Sequence, residues 1–384
     1  MTKKIKGFII PFTILCILLI SGCYSQSNNK GTNNNSNSLN KVQAYNVTFD
    51  SSTLRTYIDI YKTKLLYMEI NESNADFYIY NFQNGSKKKI LTVENFILKG
   101  ISNTFINDTL FFYVSLNKGT DLENNLYAVN FSEDKMYVES KNLNSQKLIP
   151  LTNLDGNLIS LQGNAINNGE FRSFIELRDN AKNTKQVRLD SGIKPQDKNT
   201  NSRQLVYITS DDNYLYAIEK SNSGSDVNCF ITKYDLDFTL INEINITDIL
   251  KKYDITSGVG SFFVFDHYFS ITDYSNHTIV GNLVEDAEGA NEVIFYENDV
   301  EYIKKYADRS PYEFFYKRNT NEIYRFDPTS GKIQVQKFNL DNTSSSIRVV
   351  LSYGDKFLIV KQPIIDNDTN ENIYLIPKNY EPQS

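Results

Sequence analysis

The chain has 384 residues, of which 40% are hydrophobic, with 26 Tyr, 24 Phe, no Trp and a formal net charge of −6. That is enough apolar material for a large core, and the β-branched and aromatic bias favours half-buried pleated surfaces. An acidic balance excludes a general nucleic-acid binder, which needs a basic face.

The elements begin with Lys3, Lys4 and Lys6, followed by a mostly apolar run of 13 residues from Phe8 to Ile20. At about 1.5 Å per helical residue the run falls well short of the roughly 30 Å hydrocarbon core, so it reads as a signal peptide. Losing the three lysines takes the mature charge to −6 − 3 = −9. The run ends in Leu19-Ile20-Ser21-Gly22-Cys23, which resembles the lipobox of bacterial lipoproteins. That resemblance implies cleavage after Gly22 and a diacylglycerol thioether on Cys23. It also implies a protein held at the cell membrane on the extracytoplasmic face, with residues 1–22 removed. Residues 23–43 are then expected to form an Asn/Ser-rich tether, since they carry almost no side chains that could repay the entropy of ordering. About 20 flexible residues reach roughly 25 Å.

A repeat fills the rest, residues 44–384. Its core is hydrophobic, any, any, hydrophobic, then usually Asp or Asn: Phe77–Asn81, Leu126–Asn130, Phe174–Arg178, Ile231–Asp235, Ile279–Leu283, Ile323–Asp327 and Ile373–Pro377. The first positions are spaced by 49, 48, 57, 48, 44 and 50 residues. An oily strand precedes each copy: Leu65–Met68, Leu110–Tyr113, Leu158–Leu161, Tyr214–Ala217, Tyr268–Ile271, Glu313–Tyr316 and Phe357–Val360. A further strand such as Lys332–Gln336 follows. Such a sheet is oily on both faces and cannot stand alone, whereas a ring of sheets buries every face. The expected fold is therefore all-β, a single seven-bladed β-propeller of four-stranded antiparallel blades. Only Lys378 to Ser384 remain after the last third strand, too few for a fourth. Tyr45-Asn46-Val47-Thr48-Phe49 alternates with the period of a strand and is expected to close the ring as the outer strand of the last blade. Two short helical turns are expected between blades, at Thr247–Tyr253 and Asp299–Tyr306, each opening on a capping-type residue.

The pairs Leu126-Tyr127, Ile323-Tyr324 and Ile373-Tyr374 make residues 45–384 similar to bacterial extracytoplasmic propeller lipoproteins of the TolB-type and YWTD-like groups. The resemblance implies a fold and no activity.

Chemistry is sparse. The two histidines, His267 and His277, have no Gly-x-Ser-x-Gly elbow to serve, because Ser257-Gly258-Val259-Gly260-Ser261 does not fit it or a phosphate loop. Asp366-Asn367-Asp368-Thr369-Asn370-Glu371-Asn372 is rich in oxygens but lacks the mid-loop Gly and twelfth-position Glu of a calcium loop, so a solvated turn is expected. Cys229 reads as a buried, inert thiol. No cofactor and no metal is expected. Because equivalent loops of a propeller gather on one face, Asp76, Asp121, Asp226, Asp366 and Asp368 are the candidate ligand-binding residues. The chain reads as a monomeric binding or scaffold module for a protein or an envelope glycan, tied to the membrane by its lipid. The alternatives are an extracytoplasmic carboxylate-dependent enzyme acting on glycan or peptide and an accessory subunit of a membrane complex. Replacing Cys23 with Ala is expected to leave the precursor unlipidated and in the aqueous phase of a detergent partition. Intact-mass measurement checks this.

Overall fold

The computed structural model describes residues 43–45, 54–97, 102–119, 121–143, 150–165, 171–179, 184–187, 203–223, 226–255, 258–283, 292–306, 310–338, 340, 345–363 and 371–379. Met1–Asn40, and with it Cys23 and the signal segment, lies outside them. Lys41–Ser384 is one compact unit.

This unit is a ring of seven antiparallel sheets. In the chain, β1 (Gln43–Tyr45) comes first. The first blade is β2 (Leu54–Tyr61), β3 (Lys64–Asn71), β4 (Asn74–Asn81) and β5 (Ser86–Val93). In the second, the inner strand is split into β6 (Phe96–Ile97) and β7 (Asn103–Ile106), which pair with opposite ends of β8 (Thr109–Lys118). β9 (Asp121–Asn130) and β10 (Lys135–Leu143) complete it. The third is β11 (Leu151–Leu154), β12 (Asn157–Ala165), β13 (Phe171–Arg178) and β14 (Thr184–Val187). The fourth is β15 (Arg203–Ser210), β16 (Leu215–Ser223), β17 (Asp226–Tyr234) and β18 (Leu240–Asn245). After α1 (Thr247–Lys252), the fifth is β19 (Val259–Phe265), β20 (Tyr268–Asp273), β21 (His277–Asn282) and β22 (Val293–Asn298). The sixth is β23 (Val300–Tyr302), β24 (Glu313–Lys317), β25 (Glu322–Asp327) and β26 (Lys332–Lys337). The seventh is β27 (Ser345–Tyr353), β28 (Lys356–Pro363) and β29 (Asn372–Pro377), with β1 as its outer strand.

Strand period two explains the ring. In β3, Leu65 and Tyr67 pack against Leu358, Val360 and Ile373 of the seventh blade, while Leu66 and Met68 pack against Phe112 and Val114 of the second. Among the described residues there are seven apolar clusters, one at each junction between neighbouring blades. Every blade therefore has two buried faces, and outer strands meet water, as in β26, where Val335 is exposed.

The seven oily strands seen in the sequence are the second strands, and the seven repeat cores lie in the third strands. Closure is also as expected in kind. β1 pairs antiparallel with β29, Gln43 opposite Leu375, Ala44 opposite Tyr374 and Tyr45 opposite Ile373. Of the expected strand only Tyr45 takes part, and 46–49 lie outside the described residues.

Of the two helical turns, α1 is present, but Thr247 does not cap it. Ile246 is the N-cap residue, and the Thr247 hydroxyl instead accepts the Cys229 N–H at 2.9 Å. The second is a correction. Val300–Tyr302 is the inner strand of the sixth blade, paired with Lys317, Tyr316 and Phe315. Asp299 has φ of 58°, the left-handed region, which turns the chain from β22 into a strand and not into a helix. Val300 and Ile303 are then buried in the ring.

Deleting residues 43–45 removes three ladder positions that join the ends of the chain. At about 1 kcal/mol per net hydrogen bond, a loss of roughly 1–3 kcal/mol is expected in urea unfolding.

Candidate functional site

Because each blade runs inner strand to outer strand as a meander, its second-to-third turn falls on the same rim as its connection to the next blade. The first-to-second and third-to-fourth turns fall on the opposite rim. The candidate carboxylates divide as follows. Asp76 is in β4, near the second-to-third turn, and is already occupied. Its Oδ1 accepts from the Thr92 hydroxyl at 2.5 Å and its Oδ2 from Lys89 Nζ at 3.2 Å. Asp121 opposite Lys118 and Asp226 opposite Ser223 each begin the third strand of their blade on that same rim. Their side chains, and the whole of Asp366 and Asp368, are outside the described residues.

Glu371, from the same oxygen-rich stretch as Asp366, is described, and it is buried and not solvated. It accepts from Arg55 Nη1 at 2.7 Å and also from Arg348 Nη1 and the Tyr57 hydroxyl. Arg348 Nη2 in turn donates to the Arg55 carbonyl oxygen at 2.9 Å. Glu69, opposite Arg55 across β2 and β3, takes Lys87 Nζ at 2.9 Å. This network ties the first blade to the seventh on the candidate rim. Burial, and next the Glu371 charge, push the Tyr57 phenol far above its ordinary range. A similar arrangement lies within the fourth blade. Glu219, almost fully buried, accepts from the Tyr234 hydroxyl at 2.5 Å and from Thr232 at 3.1 Å, with Arg203 Nη1 3.8 Å away. The sequence reading missed these groups. The signal was present, because Glu69, Gln162, Glu219 and Lys361 each stand four residues after the first buried residue of their oily strand.

Side chains of several blades meet near the axis of the ring. Asp59 of β2 accepts from the Ile60 N–H at 2.8 Å and from Asn103 Nδ2 of β7 at 3.0 Å. Lys304, just after β23, donates to the Asn103 carbonyl at 2.8 Å and to Asn103 Oδ1 at 3.2 Å. Blades six and two are not neighbours, so this contact crosses the axis. Towards the opposite rim, Tyr306 meets Phe105 edge-on at 4.6 Å and Tyr61 meets Tyr353 at 5.0 Å, forming an aromatic plug. Burial pushes Asp59 up to about 7, against the opposing pull of its N–H donors and Lys304, and burial lowers Lys304.

Each histidine stands beside a carboxylate of its own turn. His267 is exposed, with Nδ1 3.1 Å from Asp266, and His277 Nδ1 lies 3.4 Å from Asp273. Cys229 is buried and its thiol is pushed up by burial. Among the described residues no group of three or more His, Cys, Asp or Glu converges as a metal site would.

These features define the class: the chain is a seven-bladed β-propeller. No family model matches it, and no curated protein matches it in sequence. Among solved structures, an oligogalacturonate lyase from Vibrio parahaemolyticus is 9% identical with a TM-score of 0.51, over 89% of this chain and 98% of that one. An uncharacterized protein from Listeria monocytogenes is 13% identical with a TM-score of 0.44, over 90% and 99%. A chain of a nidogen/laminin complex is 11% identical with a TM-score of 0.40, over 74% and 93%. At these identities the likeness to the lyase concerns the fold alone.

Asp59 supplies a pH test. A raised carboxyl pKa in the folded state favours folding while the group is protonated, and that advantage is lost as pH climbs from about 4 to about 7. Lys304, lowered towards about 8, titrates above that window. Asp59→Asn has no proton to lose there. Its stability relative to the parent protein is expected to rise across the window in urea unfolding at stepped pH.

Proposed function

We propose that this protein is a lipid-anchored, extracytoplasmic binding or scaffold module that holds an envelope glycan or a protein partner on the rim carrying the second-to-third turns. The observation that carries the reading is Tyr274. It sits in the turn between β20 and β21 on that rim and is 66% exposed, the most exposed large hydrophobic side chain described. Its ring is also seated. Gly258 has φ of 104°, and a Cβ there would stand 2.9 Å from Tyr274 Cε2, so only glycine lets the ring lie against the backbone. An aromatic face held still in water is a stacking surface for a sugar ring or an apolar side chain, at little entropic cost. The anchor rests on Cys23 and its preceding small residues, and the reach on the Asn/Ser tract.

The carboxylate-dependent enzyme has less to support it. Asp76 is taken by Lys89 and Thr92, and Glu69, Glu219 and Glu371 are buried in cross-strand ties. An acid–base pair needs two carboxyls converging on an open pocket.

Retention of solubilised envelope glycans and proteins on the immobilised full-length protein tests the proposal. Tyr274→Ala is expected to weaken retention about tenfold while leaving the unfolding midpoint unchanged. Turnover of a cell-wall glycan with nothing retained would defeat it.

A further inference from the structure

We infer that the ligand of the Tyr274 rim is a glycan chain of two or more sugar rings, lying across the fifth blade along a row of aromatic side chains; this rests on the binding role proposed above for that rim and names its ligand. The row follows from the order of the strands. Gly258, against which the Tyr274 ring lies, stands just before the inner strand β19, and β20, β21 and the outer strand β22 follow outwards. His277 opens β21 opposite Asn298 of β22, and Ile279 lies opposite Tyr296, so His277, Asn298 and Tyr296 share one face of the blade. The His277 and Tyr296 rings are 6.4 Å apart, and Tyr253, just after α1, meets Tyr296 at 5.3 Å. Tyr296 is 42% exposed. Four strands at a spacing of about 4.8 Å span about 14 Å, more than one sugar ring can cover.

The groups set between the rings select the ligand. Asp273, buried at the start of the Tyr274 turn, holds that turn in shape: its Oδ1 accepts the Ser275 and His277 N–H groups at 2.9 Å each. Its Oδ2 faces His277 Nδ1 at 3.4 Å, so the neutral imidazole keeps its proton on Nδ1 and offers Nε2 as an acceptor. The Asn298 carboxamide, on an exposed residue opposite His277, both donates and accepts. Flat rings take the C–H faces of a sugar, while the imidazole and the amide match its hydroxyls, which donate and accept alike. A stable protein partner would instead bury roughly 800 Å² of this chain around an apolar core. On this blade the exposed rings alternate with polar groups.

An array of neutral and acidic oligosaccharides, one to six units long, offered to the immobilised full-length protein tests the inference. Binding in the millimolar range or tighter is expected for chains of two or more units, with the matching monosaccharide at least about tenfold weaker. Tyr296→Ala, at a half-exposed position on the outer strand, is expected to lower the affinity for the longer chains about tenfold. If that variant misfolds, Tyr274→Ala, at the inner end of the row, is expected to do the same. Monosaccharides held as tightly as longer chains, or glycan binding undiminished in both variants, would overturn the inference. Proteins retained through Tyr274 with no glycan bound would overturn it and leave the binding role of the rim standing. Nothing of either kind retained would defeat both.

Discussion

Each sheet of this ring has two apolar faces, and neither can be left in water. Leu65 and Tyr67 face one neighbour while Leu66 and Met68 face the other, so β3 needs a blade on both sides at once. A stack of such sheets would always end in two wet faces. Bending it into a circle removes both ends, at the cost of joining residues near 45 to residues near 373. The charged network around Glu371 lies at that junction, where the first and seventh blades meet. Removing one member would leave buried charge unpaired, which is why such a network gives the joint one arrangement as well as cohesion.

The axis has a different economy. The inner strands bring polar groups to the axis as well as apolar ones to the junctions, and the polar groups satisfy one another. Asp59, Asn103 and Lys304 do so between blades one, two and six. With Tyr306, Phe105, Tyr61 and Tyr353 beyond them, side chains of the first, second, sixth and seventh blades are tied together at the centre.

The second and third strands were legible because runs such as Leu110–Tyr113 and Leu126–Val129 alternate faces and are oily on both. The inner strands were not. Leu54–Tyr61 carries Arg55 and Asp59, whose burial is tolerable only because partners arrive from Glu371, more than 300 residues away, and from Asn103. Nothing local announces such a pairing. The same blindness produced the misplaced helix at 299–306, where a helix-like spacing of apolar residues belongs to a three-residue strand followed by the Lys304–Tyr306 segment that enters the axis. At the site level, the sequence placed carboxylates on one rim but could not show that Asp76 is spent on Lys89, or that Glu371 is held by arginines. Tyr274 gave no signal, because its seating depends on a glycine sixteen positions earlier that only the fold brings beneath it.

The hydrogen bonds between β1 and β29 also bear on synthesis. β1 must wait for β29, more than 300 residues later, and until then the growing ring carries open sheet edges at both sides of the gap. A ribosome that stalls before residue 372 would release an arc able to recruit a foreign strand. β29 therefore guards the whole ring against clumping, although it forms less of its core than any complete blade.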